Sequence, residues 1–113
     1  MAKLECTLRG TKNTILQVID QELLNGSFTA SYEDGSDFAI GTAQCAVRVY
    51  ERYSMAGGNR LSMNITLFGN GENWHLSAIT AGGSQALVFK INTWGEEAFL
   101  ERLAEIIRPF VYR

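Results

Sequence analysis

The sequence has little of several residue types, and each shortage excludes a class of protein. Two cysteines, Cys6 and Cys45, and one histidine occur in 113 residues, too few for a disulfide framework or a usual zinc site. No stretch approaches the roughly 20 apolar residues of a membrane span, and the first residues lack the apolar core of a signal peptide. We therefore expect a cytoplasmic protein without a metal, a cofactor or a membrane contact.

Positive charge is also scarce. Ten Lys and Arg against twelve Asp and Glu give a formal net charge of −2, whereas binding to nucleic acid requires a surplus of Lys and Arg on at least one face. We expect no nucleic-acid partner. One proline, eleven glycines and 46% apolar residues are typical of a globular protein with many tight turns, and residues 1–113 fit a single domain.

Two segments have the spacing of amphipathic helices. The first runs from about residue 11 to the stop signal Asn25-Gly26. The second is predicted to open at Thr93, because Thr93 and Glu96 have the spacing of a capping box, and to end near Pro109. The apolar stripes consist of Ile15, Ile19 and Leu23 in the first helix and of Phe99, Leu103, Ile106 and Phe110 in the second.

The other segments alternate apolar and polar residues as strands do. A strand is predicted at 4–9, and a hairpin around Asp34-Gly35 in which an odd-numbered loop pairs Tyr32 with Phe38. Further strands are predicted at 44–54, 60–68, 73–80 and 86–92, with connections of hairpin length. We expect an α+β fold, an antiparallel meander sheet of about six to seven strands with two helices packed on one face (β-α-β-β-β-β-β-β-α).

The run Gly82-Gly83-Ser84 raises the question of a phosphate-binding loop. Such a loop delivers the anion to the N-terminus of a helix, where backbone N–H groups converge. Here a strand at 86–92 is predicted to follow, so we interpret the glycines as a turn.

Strand alternation divides the side chains between two faces. The face beneath the helices is predicted to carry Cys45, Val47, Val49, Leu61, Met63, Ile65, Leu67, Trp74, Leu76, Ala78, Leu87, Phe89 and Ile91. The open face is predicted to carry the candidate ligand-binding residues Arg48, Tyr50, Arg52, His75, Ser77 and Lys90. Three cations on one face suit a small anionic molecule or an acidic protein segment, which is our first hypothesis.

Two alternatives remain for this face. It is solvated, with the Arg and Lys stems covering apolar neighbours, or it pairs two copies of the chain through Tyr50, Phe68, Ile79 and Val88. A third hypothesis, a hydrolase using His75 and Ser77, is disfavoured. No nucleophile elbow surrounds Ser77 and no carboxylate is spaced to orient the imidazole, so we assign no catalytic residue.

Four stretches carry a resemblance to a known family: AVRVYERYS, GGNR, SAITAGGSQ and GEEAFLE. In this region the chain resembles a family of small uncharacterised bacterial proteins, carried as a domain of unknown function. That resemblance implies no activity and no catalytic residue. The order of elements is also similar to the helix-grip and TATA-binding-protein-like folds, some of which hold lipophilic ligands, but a shared topology does not settle function.

Overall fold

In the computed structural model, which describes residues 1–26, 29–54, 59–82 and 89–112, two helices pack on one face of a five-stranded antiparallel sheet. The strands are β1 (Ala2–Arg9), β2 (Ala30–Ile40), β3 (Ala43–Ser54), β4 (Asn59–Asn70) and β5 (Asn73–Gly82), and the helices are α1 (Lys12–Leu24) and α2 (Phe89–Ile107). The strand order is β1-β5-β4-β3-β2, so β1 and β2 are the edges. The predicted α+β class is confirmed.

The predicted number of six to seven strands is wrong for the described residues. The two strands predicted on either side of Asp34-Gly35 are one strand, β2, with a register shift between Tyr32 and Asp34. A β-bulge of this kind takes up an extra residue without ending the strand. The chain turns later, at Gly41 with φ +61°, so Tyr32 pairs with Tyr50 rather than with Phe38.

The strand predicted at 86–92 is also wrong where the structure describes it. Helix α2 begins at Phe89, so Thr93 lies inside the helix and is not its cap. A short apolar run does not by itself distinguish a strand from a buried helical turn. Residues 83–88, which include part of the glycine run, lie outside the described residues. Our interpretation of that run as a turn relied on a strand at 86–92, and from Phe89 onward this segment is helical instead.

The core lies between the helices and the sheet, mainly at strands β1, β5 and β4, and includes Ala46 and Tyr50 of β3. The predicted helical stripes are confirmed at Ile15, Ile19, Leu23, Phe99, Leu103 and Ile106, which are all buried. Phe110, the last residue of the second predicted stripe, lies beyond α2 in a 3-10 turn and is half-buried. The predicted inward residues of β4 and β5 are confirmed as well: Leu61, Met63, Ile65, Leu67, Trp74, Leu76 and Ala78. Neither described helix combines the length and the apolar character needed to cross a bilayer.

The alternation predicted for β3 is reversed. Arg48 pairs with Ile65, and Tyr50 with Met63, and residues directly opposite each other share a face of the sheet. Arg48 and Tyr50 are therefore on the helix-bearing face. Cys45, Val47 and Val49, predicted to face the core, lie on the open face. Because β3 carries apolar side chains on both faces, its pattern does not specify which face points inward, and the register with β4 decides.

Candidate functional site

The open face of the sheet is the first candidate, because no helix among the described residues packs on it. Cross-strand pairing arranges its side chains in rows. One row, from β1 to β2, consists of Thr7, His75, Phe68, Cys45 and Phe38. The next two rows consist of Glu5, Ser77, Thr66, Val47 and Ser36, and of Lys3, Ile79, Asn64, Val49 and Asp34.

Apolar side chains cross the middle of these rows. Phe38 and Phe68 are 55% and 53% exposed, while Cys45 between them is 8% exposed. We define the apolar strip as Phe38, Cys45, Val47, Val49, Phe68 and Ile79. Asn64 separates Ile79 from Val49 in their row. Exposed apolar surface of this kind commonly marks an interaction site.

A polar cluster borders the apolar strip on the β1 side. The Glu5 carboxylate accepts a hydrogen bond from the Ser77 hydroxyl at 3.4 Å and lies 3.7 Å from Nε2 of His75 and 4.0 Å from Nζ of Lys3. Sequence reasoning missed Glu5, because its contacts depend on the pairing of β1 with β5, elements far apart in the chain. In this exposed cluster the carboxylate lies between Ser77 and His75, whereas in a catalytic triad the histidine lies between the serine and the acid.

A groove on the helix-bearing face is the second candidate. The helices cover β1, β5 and β4 more fully than β3 and β2, and a space of about 430 Å³ remains between α1 and the last two strands. It is lined by Leu16, Gln17, Asp20, Leu24, Tyr32, Arg48 and Tyr50.

Tyr50 forms the floor of this groove. Its side chain is buried, and its hydroxyl donates a hydrogen bond of 2.7 Å to Oδ1 of Asp20 in α1. Burial and this bond to Asp20 raise the pKa of Tyr50 far above its ordinary value, and the charge of Arg48 opposes the rise. The Tyr32 ring meets the Tyr50 ring edge to face, with centroids 5.6 Å apart.

Arg48 lies beside Tyr50 and is held by two contacts. Its Nη2 is 3.1 Å from Oδ2 of Asp37, and its Nη1 donates to the carbonyl oxygen of Val47 at 2.9 Å. The Arg48 side chain is 20% exposed. Arg52 is on the same face, opposite Leu61, and burial lowers its pKa.

The structure thus divides the predicted binding residues between separate surfaces. Arg48, Tyr50 and Arg52 are on the helix-bearing face, and His75 and Ser77 are on the open face. Lys90 belongs to α2, and its side chain lies outside the description. The expected single basic surface is wrong, because it required the even-numbered residues of β3 to point away from the helices.

Comparison with known proteins places the chain in a family. The model of a family of unknown function, DUF6054, matches residues 1–111. The chain belongs to this family. The family match covers both helices and all five described strands, so both candidate surfaces lie within it. No curated protein and no solved structure matches the chain significantly. The family resemblance is confirmed, while bacterial origin and similarity to helix-grip proteins stay predictions.

Proposed function

We propose that this protein is a non-enzymatic interaction domain whose open sheet face pairs with a second copy of the chain. The apolar strip is the observation that supports the proposal. Phe38 and Phe68 expose more than half of their surface to water, and transfer of that surface into an interface is favourable by about 25 cal/mol per Å². Cytoplasmic location stays part of this proposal.

The edges of the sheet favour pairing through the face rather than through a strand edge. In β2 a bulge at Glu33, flanked by Asp34, interrupts the regular ladder. At the other edge, the Tyr112 N–H donates to the Thr7 carbonyl at 2.9 Å, and Val111 forms a bridge to Leu8. Bulges, charges and covering segments are the usual protections against edge-to-edge association.

The size of the face suits a specific but reversible dimer. Five strands about 4.8 Å apart span about 24 Å, and eight residues of strand rise about 27 Å. One face therefore offers about 650 Å², and two copies bury about 1,300 Å² in total, near the lower end of specific interfaces. We expect a dimer that dissociates on dilution.

A two-fold axis roughly parallel to β4 suits the distribution of charge. Because β4 is the central strand, this axis stacks β4 on the partner's β4 and β1 on the partner's β2. Lys3 then lies opposite the partner's Asp34, since both belong to one row. An axis perpendicular to the strands would instead place β1 on β1 of the partner. If it passed through the middle row, Glu5 would lie opposite the partner's Glu5, where like charges repel.

A crosslinking experiment tests this arrangement. In a chain with Cys6→Ala and Cys45→Ala, Thr66→Cys introduces one thiol on β4, beside the axis. Because face-packed sheets lie about 10 Å apart, a short bismaleimide should join two copies covalently. Thr7→Cys is the matched control on the same face. In the proposed dimer, position 7 of one copy and position 7 of the other are four strand spacings apart, about 19 Å, which is beyond the reach of the reagent. Equal crosslinking of both variants, or of neither, would contradict the arrangement.

A charge exchange provides a second test. Lys3→Glu should weaken dimerisation several-fold, because it places an acid opposite the partner's Asp34 at two symmetric positions. Adding Asp34→Lys should restore the native dissociation constant. Sedimentation equilibrium measures both, and failure of the double variant to recover would exclude this pairing of charges.

Binding of an anionic ligand or an acidic segment to the open face stays an untested prediction with less support than before. Arg48 and Arg52 lie on the other face, and the cationic groups described on the open face include Lys3, which is close to the carboxylate of Glu5. Hydrolysis by His75 and Ser77 likewise has little support, since Glu5 rather than the imidazole contacts the serine hydroxyl.

A further inference from the structure

The groove between α1 and strands β2 and β3 differs chemically from the open face. Its walls combine one carboxylate, Asp20, and one guanidinium, Arg48, with the apolar side chains of Leu16 and Leu24 and the ring of Tyr32. The groove volume of about 430 Å³ falls in the range of small-molecule sites, about 300–1,000 Å³.

The two charged groups both act on the hydroxyl of Tyr50. Asp20 accepts the hydrogen bond of Tyr50 at 2.7 Å. Arg48, two residues before Tyr50 on the same face of β3, is close enough for its charge to act on the same phenol. A ligand above Tyr50 can therefore contact a negative group and a positive group at once.

Both charged groups have remaining capacity for hydrogen bonds. A carboxylate offers about four acceptor sites, and the Tyr50 hydroxyl uses one of those on Asp20. A guanidinium has five N–H donors, and the contacts of Arg48 with Asp37 and Val47 each use one. These contacts hold the guanidinium in place while leaving it part of the groove surface.

We propose that this groove binds a small zwitterion with an apolar side chain, of the α-amino-acid class. The ammonium group binds Asp20, the carboxylate binds Arg48, and the side chain packs against Leu16, Leu24 and Tyr32. A ligand with a single charge gains only one of these pairings, which disfavours simple amines and simple carboxylates.

Three probes with the same ring separate the alternatives: L-phenylalanine, phenylethylamine and 3-phenylpropionate. Titrations followed by ¹H–¹⁵N NMR should shift the amide signals of the groove residues, with L-phenylalanine binding about tenfold tighter or more than either singly charged probe. The proposal is overturned if no probe shifts these signals, or if either singly charged probe binds as tightly as the amino acid.

Two variants assign the charges. Asp20→Asn should remove the difference in affinity between L-phenylalanine and 3-phenylpropionate. Arg48→Gln should remove the difference in affinity between L-phenylalanine and phenylethylamine. Asn retains an oxygen that can accept the Tyr50 hydrogen bond, so the floor of the groove is preserved. Glu22→Gln removes an equal charge from α1 outside the groove lining and should leave all three affinities unchanged. If Glu22→Gln weakens L-phenylalanine as much as Asp20→Asn does, Asp20 is not the ammonium ligand.

Discussion

At the residue scale, Tyr50 is the side chain that most clearly connects packing with polar chemistry. It is 1% exposed, yet it belongs to a face where β3 alternates small, charged and aromatic residues. A buried phenol requires a hydrogen-bond partner, and Asp20 provides it across the gap between α1 and β3. This bond ties the first helix to β3.

Removal of this bond should destabilise the fold. Tyr50→Phe keeps the ring but leaves the half-buried Asp20 carboxylate without its phenol donor, so we expect a loss of about 1–2 kcal/mol in the free energy of unfolding. Chemical denaturation measures the loss. Tyr53→Phe, in the same strand with a side chain 47% exposed, should change stability by less than about 0.5 kcal/mol. Equal effects of the two variants would contradict the role of Asp20.

The same residue predicts a dependence on alkaline pH. The pKa of Tyr50 is raised in the folded protein, so the unfolded chain loses this proton first. Below about pH 10, the ordinary pKa of tyrosine, Tyr50 is protonated in both the folded and the unfolded chain. Its hydrogen bond then contributes fully to the stability of the folded protein. Above this pH, the stability advantage of the native protein over Tyr50→Phe should decline. Denaturation at a series of pH values tests this, and an advantage that stays constant or grows above pH 10 would contradict it.

At the element scale, the sequence predicts some strands well and others poorly for identifiable reasons. In β4 and β5, large aliphatic residues alternate with Ser, Asn and Thr, so the inward face was predicted correctly. In β3, one face carries Val and Cys and the other carries Ala and Tyr. Because both faces are apolar, hydrophobicity does not predict which of them points toward the helices. The Asp34-Gly35 pair has the composition of a turn, but it lies next to a bulge within β2. Because a β-bulge tolerates the same residue types, composition alone does not distinguish the two.

Contacts between distant elements account for the parts of the candidate sites that the sequence did not reveal. A polar residue of an amphipathic helix ordinarily faces water, and no pattern within α1 predicts that Asp20 contacts Tyr50. Glu5 reaches His75 and Ser77 only because β1 pairs with β5. Local periodicity determines which side of an element is apolar, but the partner of a polar side chain depends on the order and register of the whole sheet.

The connection between β4 and β5 depends on a close approach at Gly69. A Cβ added there would overlap the carbonyl oxygen of Asn73 and lie 3.0 Å from Cα of Trp74. Because both are backbone atoms, they cannot move aside as a flexible side chain would. Gly69→Ala should therefore cost about 1–3 kcal/mol of stability in chemical denaturation. Glu72→Ala, an exposed position in the adjacent turn, is the control, and an equally stable Gly69→Ala variant would refute this packing.

At the scale of the whole molecule, a sheet with helices on one side exposes its other face. The α+β class and the single-sided helical layer followed from composition and periodicity, because two amphipathic helices are too few to cover both faces of a broad sheet. The chemistry of the uncovered face did not follow, since it depended on the orientation of β3. With β3 oriented as observed, this face carries an apolar strip rather than a basic surface, which is the reason that we propose a second copy as its partner.

The molar mass of the protein in solution tests this central claim most directly. Light scattering after gel filtration over a concentration series should show a rise from 12.5 kDa toward about twice that value, as expected for a reversible dimer. Phe68→Ser should stay at the monomer mass throughout. Tyr112→Ser, which removes an aromatic residue of similar exposure at the C-terminal end, should dimerise as the native protein does. A native protein that is monomeric at every concentration, or a Phe68→Ser variant that dimerises normally, would contradict the proposed interface.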